Sequence, residues 1–177
     1  MTSEAVVEQL KQRIRHVPDF PKPGILFYDV TTLLKDGDGF RMAVDEMASP
    51  YLDAGIDLVV GIESRGFIFG SAVADRLKTG FAPVRKPGKL PSTTRRASYA
   101  LEYGTDTLEI HDDAITPGQR VLVVDDLLAT GGTAAATVSL LRDLGGDVVG
   151  AQFLIELVAL NGRDRLKDER VGAVLRY

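Results

Sequence analysis

The sequence predicts a single-domain α/β fold with a mostly parallel, twisted central sheet flanked by helices. Three apolar runs, at residues 57–62, 120–126 and 148–157, are rich in valine and isoleucine and do not alternate with polar residues. This pattern is typical of parallel strands that are buried on both faces. The length of 177 residues fits one domain, covering residues 1–177.

The predicted helices alternate with these strands. Helical patterns cover residues 40–54, 66–78 and 133–144, and Gly145 with Gly146 can end the last helix. Helices between parallel strands form right-handed crossovers, and ligands are expected at the carboxyl ends of the strands.

The N-terminal residues 1–16 predict an amphipathic helix. Apolar residues recur there at helical spacing, while acidic residues stand early and basic residues late, as the helix macrodipole favours. A signal peptide or a membrane span needs a longer apolar run. We therefore expect a cytoplasmic protein with no membrane partner.

Composition excludes several kinds of partner and chemistry. The formal net charge is −4, from 21 basic and 25 acidic residues, so nucleic acid is not an expected partner. The chain has no cysteine, which excludes disulfides, thiolate nucleophiles and zinc sites that use cysteine. It has two histidines, so a histidine-rich metal site is not expected. Any bound anion must therefore be held by a local site.

Residues 85–103 interrupt the regular pattern and predict a long loop. This segment contains prolines, a glycine and a serine–threonine run, and its start shows no convincing periodicity. Loops of this length in compact domains are usually lids or binding segments. Its basic residues make it the most basic local patch of an acidic chain: Arg85, Lys86, Lys89, Arg95 and Arg96.

The segment "VLVVDDLLATGGT", residues 121–133, combines two aspartates with a loop of small residues. We call residues 129–133 the phosphate cradle, because the free amides of a helix N-terminus and the threonine hydroxyls there can bind a phosphate monoester. Asp125 and Asp126 would repel phosphate but can accept hydrogen bonds from a vicinal diol. A ligand with both ends, such as ribose 5-phosphate, fits. The bland alternative is an acidic turn before an ordinary capped helix.

The segment "GIESRGFIFG", residues 61–70, repeats the order of strand, polar turn and helix. Ser64, Arg65 and Gly66 place a hydroxyl, a guanidinium and free amides at a second helix start. Alternatively, Arg65 is a surface cation that pairs with Glu63. Its position at a second strand end favours an anion site.

These two segments, together with "RKPGKLP" and "YALEYG", resemble the phosphoribosyltransferase family from about residue 20 to the C-terminus. The resemblance implies a type I phosphoribosyltransferase fold. Residues 1–35 would supply an N-terminal helix and a base-binding hood, and residues 85–107 a flexible catalytic loop. It also implies purine salvage, in which the 5-phosphoribosyl group of phosphoribosyl pyrophosphate is transferred to adenine.

The resemblance also implies roles for individual residues. Ribose 5-phosphate would be bound by Asp125, Asp126, Ala129, Thr130, Gly131, Gly132 and Thr133. Pyrophosphate would be bound by Ser64, Arg65, Arg85, Lys86 and Lys89. Adenine would contact Leu26, Phe27 and Tyr28, the last standing where many members carry arginine. Catalysis would use Arg65, Lys89 and the general acid/base Glu102, with Mg²⁺ held mainly by the substrate near Asp125 and Asp126.

Alternatives remain open on the sequence alone. A member acting on a 6-oxopurine would need a donor near the base pocket, and a non-catalytic sensor of phosphoribosyl pyrophosphate would need a nucleic-acid-binding element. Phe27 can equally be a core residue, and Glu102 an outward residue of a strand. The apolar run Phe67, Ile68 and Phe69 exceeds what one helix face buries, and with the resemblance it suggests a homodimer.

Overall fold

A computed structural model describes residues 3–100 and 105–177 of the chain as an α/β fold. The helices are α1 Glu4–Lys11, α2 Thr31–Leu34, α3 Gly37–Ala48, α4 Gly66–Leu77 and α5 Gly132–Asp143. The strands are β1 Arg15–Pro18, β2 Leu26–Asp29, β3 Leu58–Ile62, β4 Gly80–Val84, β5 Thr94–Ala100, β6 Thr105–His111, β7 Arg120–Leu128, β8 Asp147–Glu156 and β9 Val171–Arg176. Short 3-10 turns lie at Ser49–Tyr51, Val158–Leu160 and Gly162–Arg165.

The central sheet is parallel, as predicted. Within the described ranges it has five strands in the order β4-β3-β7-β8-β9. The three predicted strands become β3, β7 and β8, the three inner strands. The edge strands β4 and β9 were not predicted from the sequence.

Both faces of the sheet are buried, which explains the unbroken apolar runs. Successive residues of a strand point to opposite faces, so Val59 packs in the cluster beneath α3 and α4, while Val60 packs in the cluster beneath α5. Val124 and Val123 of the next strand divide in the same way. The sheet is therefore covered by helices on both sides.

Two predicted helices are shorter than expected. The first ends at Lys11, and Arg15–Pro18 instead forms the two-stranded sheet β1–β2, because Arg13 turns to bind Asp36 at the start of α3 (Nε to Oδ2, 2.6 Å). The helix predicted at 40–54 spans Gly37–Ala48, since Pro50 lacks the N–H that a continuing helix needs. No helix in the described part of the chain is long and apolar enough to cross a membrane.

The segment predicted as a long loop contains strand β5, one arm of a hairpin, and the prediction was wrong for these residues. Strands β5 and β6 pair antiparallel from Thr94–His111 to Ala100–Thr105. In the described part of this segment the irregular residues are 85–93, which we call the basic loop. Arg85 at its start is bridged to Glu109 of β6. Residues 101–104 lie outside the described part of the chain.

Candidate active site

The candidate site lies at the carboxyl edge of the sheet, where β3 and β7 end side by side. Because these two strands are hydrogen-bonded neighbours, the turn after β3 lies against the turn after β7. The two motifs that the sequence separates by about sixty residues therefore meet, as predicted. A cavity of about 320 Å³ joins them, lined by Ser64, Arg65, Lys86, Asp125, Asp126 and Thr133 among others. That volume lies at the lower end for small-molecule sites.

The two aspartates of β7 have different environments. Asp126 accepts a hydrogen bond from Arg65 (Nε to Oδ2, 2.6 Å), so its charge has a partner. Asp125 accepts one from the Asp126 backbone N–H (2.9 Å). Burial and the neighbouring Asp126 carboxylate raise the pKa of Asp125 well above its ordinary range. Asp125 thus gains a proton more readily than an exposed aspartate, and the pair can both accept and donate hydrogen bonds.

The phosphate cradle forms the N-terminus of α5. Gly131 is the N-cap and has φ of +79°, a conformation that glycine adopts without steric cost. The first turn leaves its amides free, as at any helix N-terminus. A small cavity of about 80 Å³ lies directly against Ala129, Thr130, Gly131 and Gly132. The cradle can therefore bind a compact anion through main-chain nitrogens.

A close backbone contact fixes the cradle from behind. A Cβ on Gly131 would lie 2.3 Å from the Gly162 carbonyl oxygen, and a Cβ on Gly162 would lie 2.3 Å from the Ala129 carbonyl oxygen. Side chains would not fit at either position. The turn at Gly162–Arg165 thus packs directly on the cradle, a contact that the sequence did not reveal.

The turn after β3 contacts Asp125 and Asp126, which we call the acidic pair. The interpretation in which Arg65 pairs with Glu63 is wrong, because Arg65 reaches across to Asp126. Gly66, the first residue of α4, lies so close to β7 that a Cβ there would be 2.6 Å from Asp125 Oδ1. The start of α4 and the acidic pair are therefore in direct contact.

The basic loop is held at the site by carboxylates. Glu63, at the end of β3, accepts hydrogen bonds from Lys89 Nζ (2.5 Å) and from Arg85 Nε and Nη2 (both 3.3 Å). Burial opposes ionisation of Glu63, but these bonds outweigh it and hold its pKa at about 2. Lys86 pairs with Asp106, which raises the pKa of Lys86 although partial burial opposes it. Arg95 and Arg96 lie on β5, and Arg96 pairs with Glu109 (2.5 Å).

Tyr99 and Asp106 belong to the site, although neither is a predicted site residue. Thr133 Oγ1 donates to the Tyr99 hydroxyl (3.1 Å), which in turn donates to Asp106 Oδ2 (3.1 Å). Asp106 also accepts a hydrogen bond from Lys86 Nζ, so this chain of hydrogen bonds connects the cradle to the basic loop. Only the pairing of β5 with β6 brings Tyr99 opposite Asp106, and no local motif signals it.

The proposed base-binding residues occupy β2. Phe27 lies at the site, with its ring 5.5 Å from the Arg65 guanidinium and 5.1 Å from the Phe20 ring. Leu26 is 44% exposed. The Tyr28 ring instead packs 4.1 Å from Tyr177, against the core. Because the Tyr28 side chain packs there, only its backbone atoms are available to contact a base. Glu102, the predicted general acid/base, lies outside the described residues.

Comparison with known proteins agrees with this geometry. The phosphoribosyl transferase domain model matches residues 31–172. The chain is 62% identical over 170 residues to the adenine phosphoribosyltransferase of Acidobacterium capsulatum, covering 96% of this chain and 94% of that protein. It superposes on the crystal structure of the Rhodothermus marinus enzyme of the same name with a TM-score of 0.94, 53% identity and coverage of 99% and 100% of the two chains. For the Saccharomyces cerevisiae enzyme, crystallised with adenine and an imino-altritol bisphosphate, the TM-score is 0.92 at 38% identity, covering 98% and 100%. This chain belongs to the phosphoribosyltransferase family.

Proposed function

We propose that this protein transfers the 5-phosphoribosyl group of phosphoribosyl pyrophosphate to adenine, giving AMP and pyrophosphate. The observation that carries the proposal is that the cradle, the acidic pair and Arg65 line two adjoining cavities, which share Asp125 and Thr133. A sugar with a phosphate at one end and a pyrophosphate at the other needs these three features in this order. The relatives named above bear the same activity in their names.

The phosphate end is proposed to bind the cradle. Ala129, Thr130, Gly131, Gly132 and Thr133 line the small cavity, and the free amides of a helix N-terminus bind phosphate oxygens. The ribose hydroxyls then lie over Asp125 and Asp126. Because the pKa of Asp125 is raised by burial and by the neighbouring Asp126, the pair can both accept hydrogen bonds from the hydroxyls of a diol and donate one to them.

The pyrophosphate end is proposed to bind the turn at Ser64 and Arg65 together with Arg85, Lys86 and Lys89. In the transfer, the bond from the anomeric carbon to pyrophosphate breaks, and a bond to the purine nitrogen forms with inversion. Negative charge grows on the departing pyrophosphate, and cations fixed beside it stabilise that charge. We propose that Arg65 and Lys89 do so, and that positioning and charge supply much of the acceleration.

Mg²⁺ is proposed to bind together with the substrate, whose phosphates it partly neutralises. Carboxylate oxygens suit this ion, but Asp126 already binds Arg65. Among the described residues no group of three or more metal-binding side chains converges. We propose that substrate oxygens near Asp125 and Asp126 hold the ion.

The base is proposed to lie beside Phe27, whose ring is next to the Arg65 guanidinium. Leu26 and the backbone of Tyr28 would border the same slot. Glu102 is proposed to exchange the proton of the purine nitrogen as the glycosidic bond forms. That assignment rests on the match of "YALEYG" to the family.

A homodimer is the proposed assembly. Ile68, at the start of α4, is 40% exposed, and Leu52 is 50% exposed. Light scattering on the purified protein tests it, and a monomer mass at assay concentration would contradict it.

A competition assay tests the activity. Labelled phosphoribosyl pyrophosphate and Mg²⁺ are supplied with adenine, hypoxanthine, guanine and xanthine together, and the nucleotides formed are separated. AMP should dominate. Product from a 6-oxopurine would favour that alternative, and no product with any base would favour a sensor.

A further inference from the structure

The cations assigned to pyrophosphate are all paired with carboxylates before any substrate binds. The pairs are Arg65 with Asp126, Arg85 and Lys89 with Glu63, and Lys86 with Asp106. An anion that enters this site therefore does not meet free cations. It has to share or replace partners that the protein already supplies.

Glu63 has the largest share of these contacts. Its carboxylate accepts hydrogen bonds from the side chains of Lys89 and Arg85 and from the backbone N–H of Lys86 (3.0 Å). The side chain is only 10% exposed, whereas Lys89 is 48% exposed. The carboxylate is thus held at the end of β3, and its basic partners are the more exposed side chains.

We propose that Glu63 acts as an internal competitor of pyrophosphate, a positioning residue that holds Arg85 and Lys89 at the site and limits how tightly they bind the ligand. The inference rests on the proposed function, because it assumes that these cations bind pyrophosphate. Glu63 would lower the affinity for pyrophosphate, whereas the cations around it raise that affinity.

The electrostatic reason is the fixed negative charge of Glu63 beside an anionic ligand. Like charges brought together at a binding site oppose binding. A ligand that takes over the donors of Lys89 and Arg85 also leaves the buried carboxylate with fewer hydrogen bonds, and this loss opposes binding further. Both effects keep the affinity for pyrophosphate moderate, and moderate affinity favours release of the product.

The test is binding of magnesium pyrophosphate to the full chain, measured by titration calorimetry, for the wild type and Glu63→Gln. The amide keeps the shape and one acceptor but removes the charge. We expect the dissociation constant to fall about fivefold or more, within the usual range of coupling between interacting sites. In the reverse reaction the KM for pyrophosphate should fall in parallel. A purely structural role predicts weaker binding instead.

Two further variants separate charge from loop order. Glu109→Gln perturbs the same loop, because Glu109 accepts from the Gly88 N–H (2.9 Å) and pairs with Arg96, neither of which is assigned to pyrophosphate. It should not tighten binding. Glu63→Asp keeps the charge and should not tighten binding either.

Asp106→Asn provides an independent measurement if Glu63→Gln does not fold. It removes the carboxylate that pairs with Lys86, and it should tighten pyrophosphate binding by a smaller factor, because one cation is released rather than two. Unchanged or weaker binding in folded Glu63→Gln would overturn the proposal, as would unchanged or weaker binding in folded Asp106→Asn where Glu63→Gln does not fold. Equal tightening in Glu109→Gln would overturn it as well.

Failure of the proposed function gives a different result. If the wild type binds no pyrophosphate and forms no AMP, the assignment of the site is wrong. If the wild type does both and Glu63→Gln binds no tighter, only the role of Glu63 is wrong.

Discussion

Gly131→Ala tests whether the phosphate cradle depends on its backbone contact with Gly162. Two separate costs are expected. A side chain at φ of +79° costs roughly 1–2 kcal/mol. The new Cβ would lie 2.3 Å from the Gly162 carbonyl oxygen, against 3.4 Å for the start of ordinary contact, so one backbone must move by about 1 Å. Overpacking of this kind costs about 1–3 kcal/mol, and the free energy of unfolding should fall by about 2–5 kcal/mol in total.

Gly118→Ala is the matched control. Gly118 has φ of +86°, and no described atom lies within 4 Å of its added Cβ, so only the first cost of about 1–2 kcal/mol applies. Urea unfolding followed by circular dichroism gives both free energies, with unchanged slopes against urea. Ribose 5-phosphate binding, measured by calorimetry, should weaken in Gly131→Ala alone. If the two variants lose the same stability, the contact between Gly131 and Gly162 does not constrain the cradle.

Three more predictions concern the acidic pair, the hydroxyl bridge and acid stability. Asp125→Ala combined with Asp126→Ala should raise the KM for phosphoribosyl pyrophosphate at least tenfold, because the ribose loses both of its acceptors; unchanged steady-state kinetics would refute the ribose assignment. Tyr99→Phe removes two hydrogen bonds and should lower the free energy of unfolding by about 1–2 kcal/mol, whereas Ser98→Ala, at the exposed pair with Thr107 on the same hairpin, should change it by less than about 0.5 kcal/mol. Glu63 has a pKa of about 2 in the folded chain against its ordinary 4.5, so its contribution to stability is fully present above pH 4.5 and is lost as pH falls towards 2. Acid titrations of unfolding should therefore be less steep between pH 4.5 and 2 in Glu63→Gln than in the wild type, and equal slopes would contradict this.

The inner strands were predictable because burial on both faces leaves a strong signal. Val59 and Val60 face opposite clusters, so every position of the strand must be apolar. Edge strand β4 lacks this signal, since Pro83 interrupts it and proline is tolerated only where one side of a strand has no partner. The end of α1 was misplaced because a tertiary contact, Arg13 with Asp36, decides where the chain turns.

The candidate site was predictable where a motif carries its own chemistry. The acidic pair and the cradle are contiguous in sequence, and parallel topology alone brought Arg65 to them. The partners of the cations were not predictable, because the pairing of Lys86 with Asp106 depends on the register of a hairpin that the loop prediction missed. Local patterns identify which groups can bind a ligand, whereas tertiary register decides which groups hold them in place.

The missing side chain at Gly66 has a consequence for engineering this site. With only a hydrogen there, the turn that carries Arg65 rests on Asp125, and any larger residue would push the carboxyl aside. To make the site accept a different sugar, the turn that carries Arg65 and the strand end that carries Asp125 would have to be changed together. Changes that leave this contact intact are confined to segments such as β2 around Phe27, and there they would alter the proposed base slot rather than the sugar site.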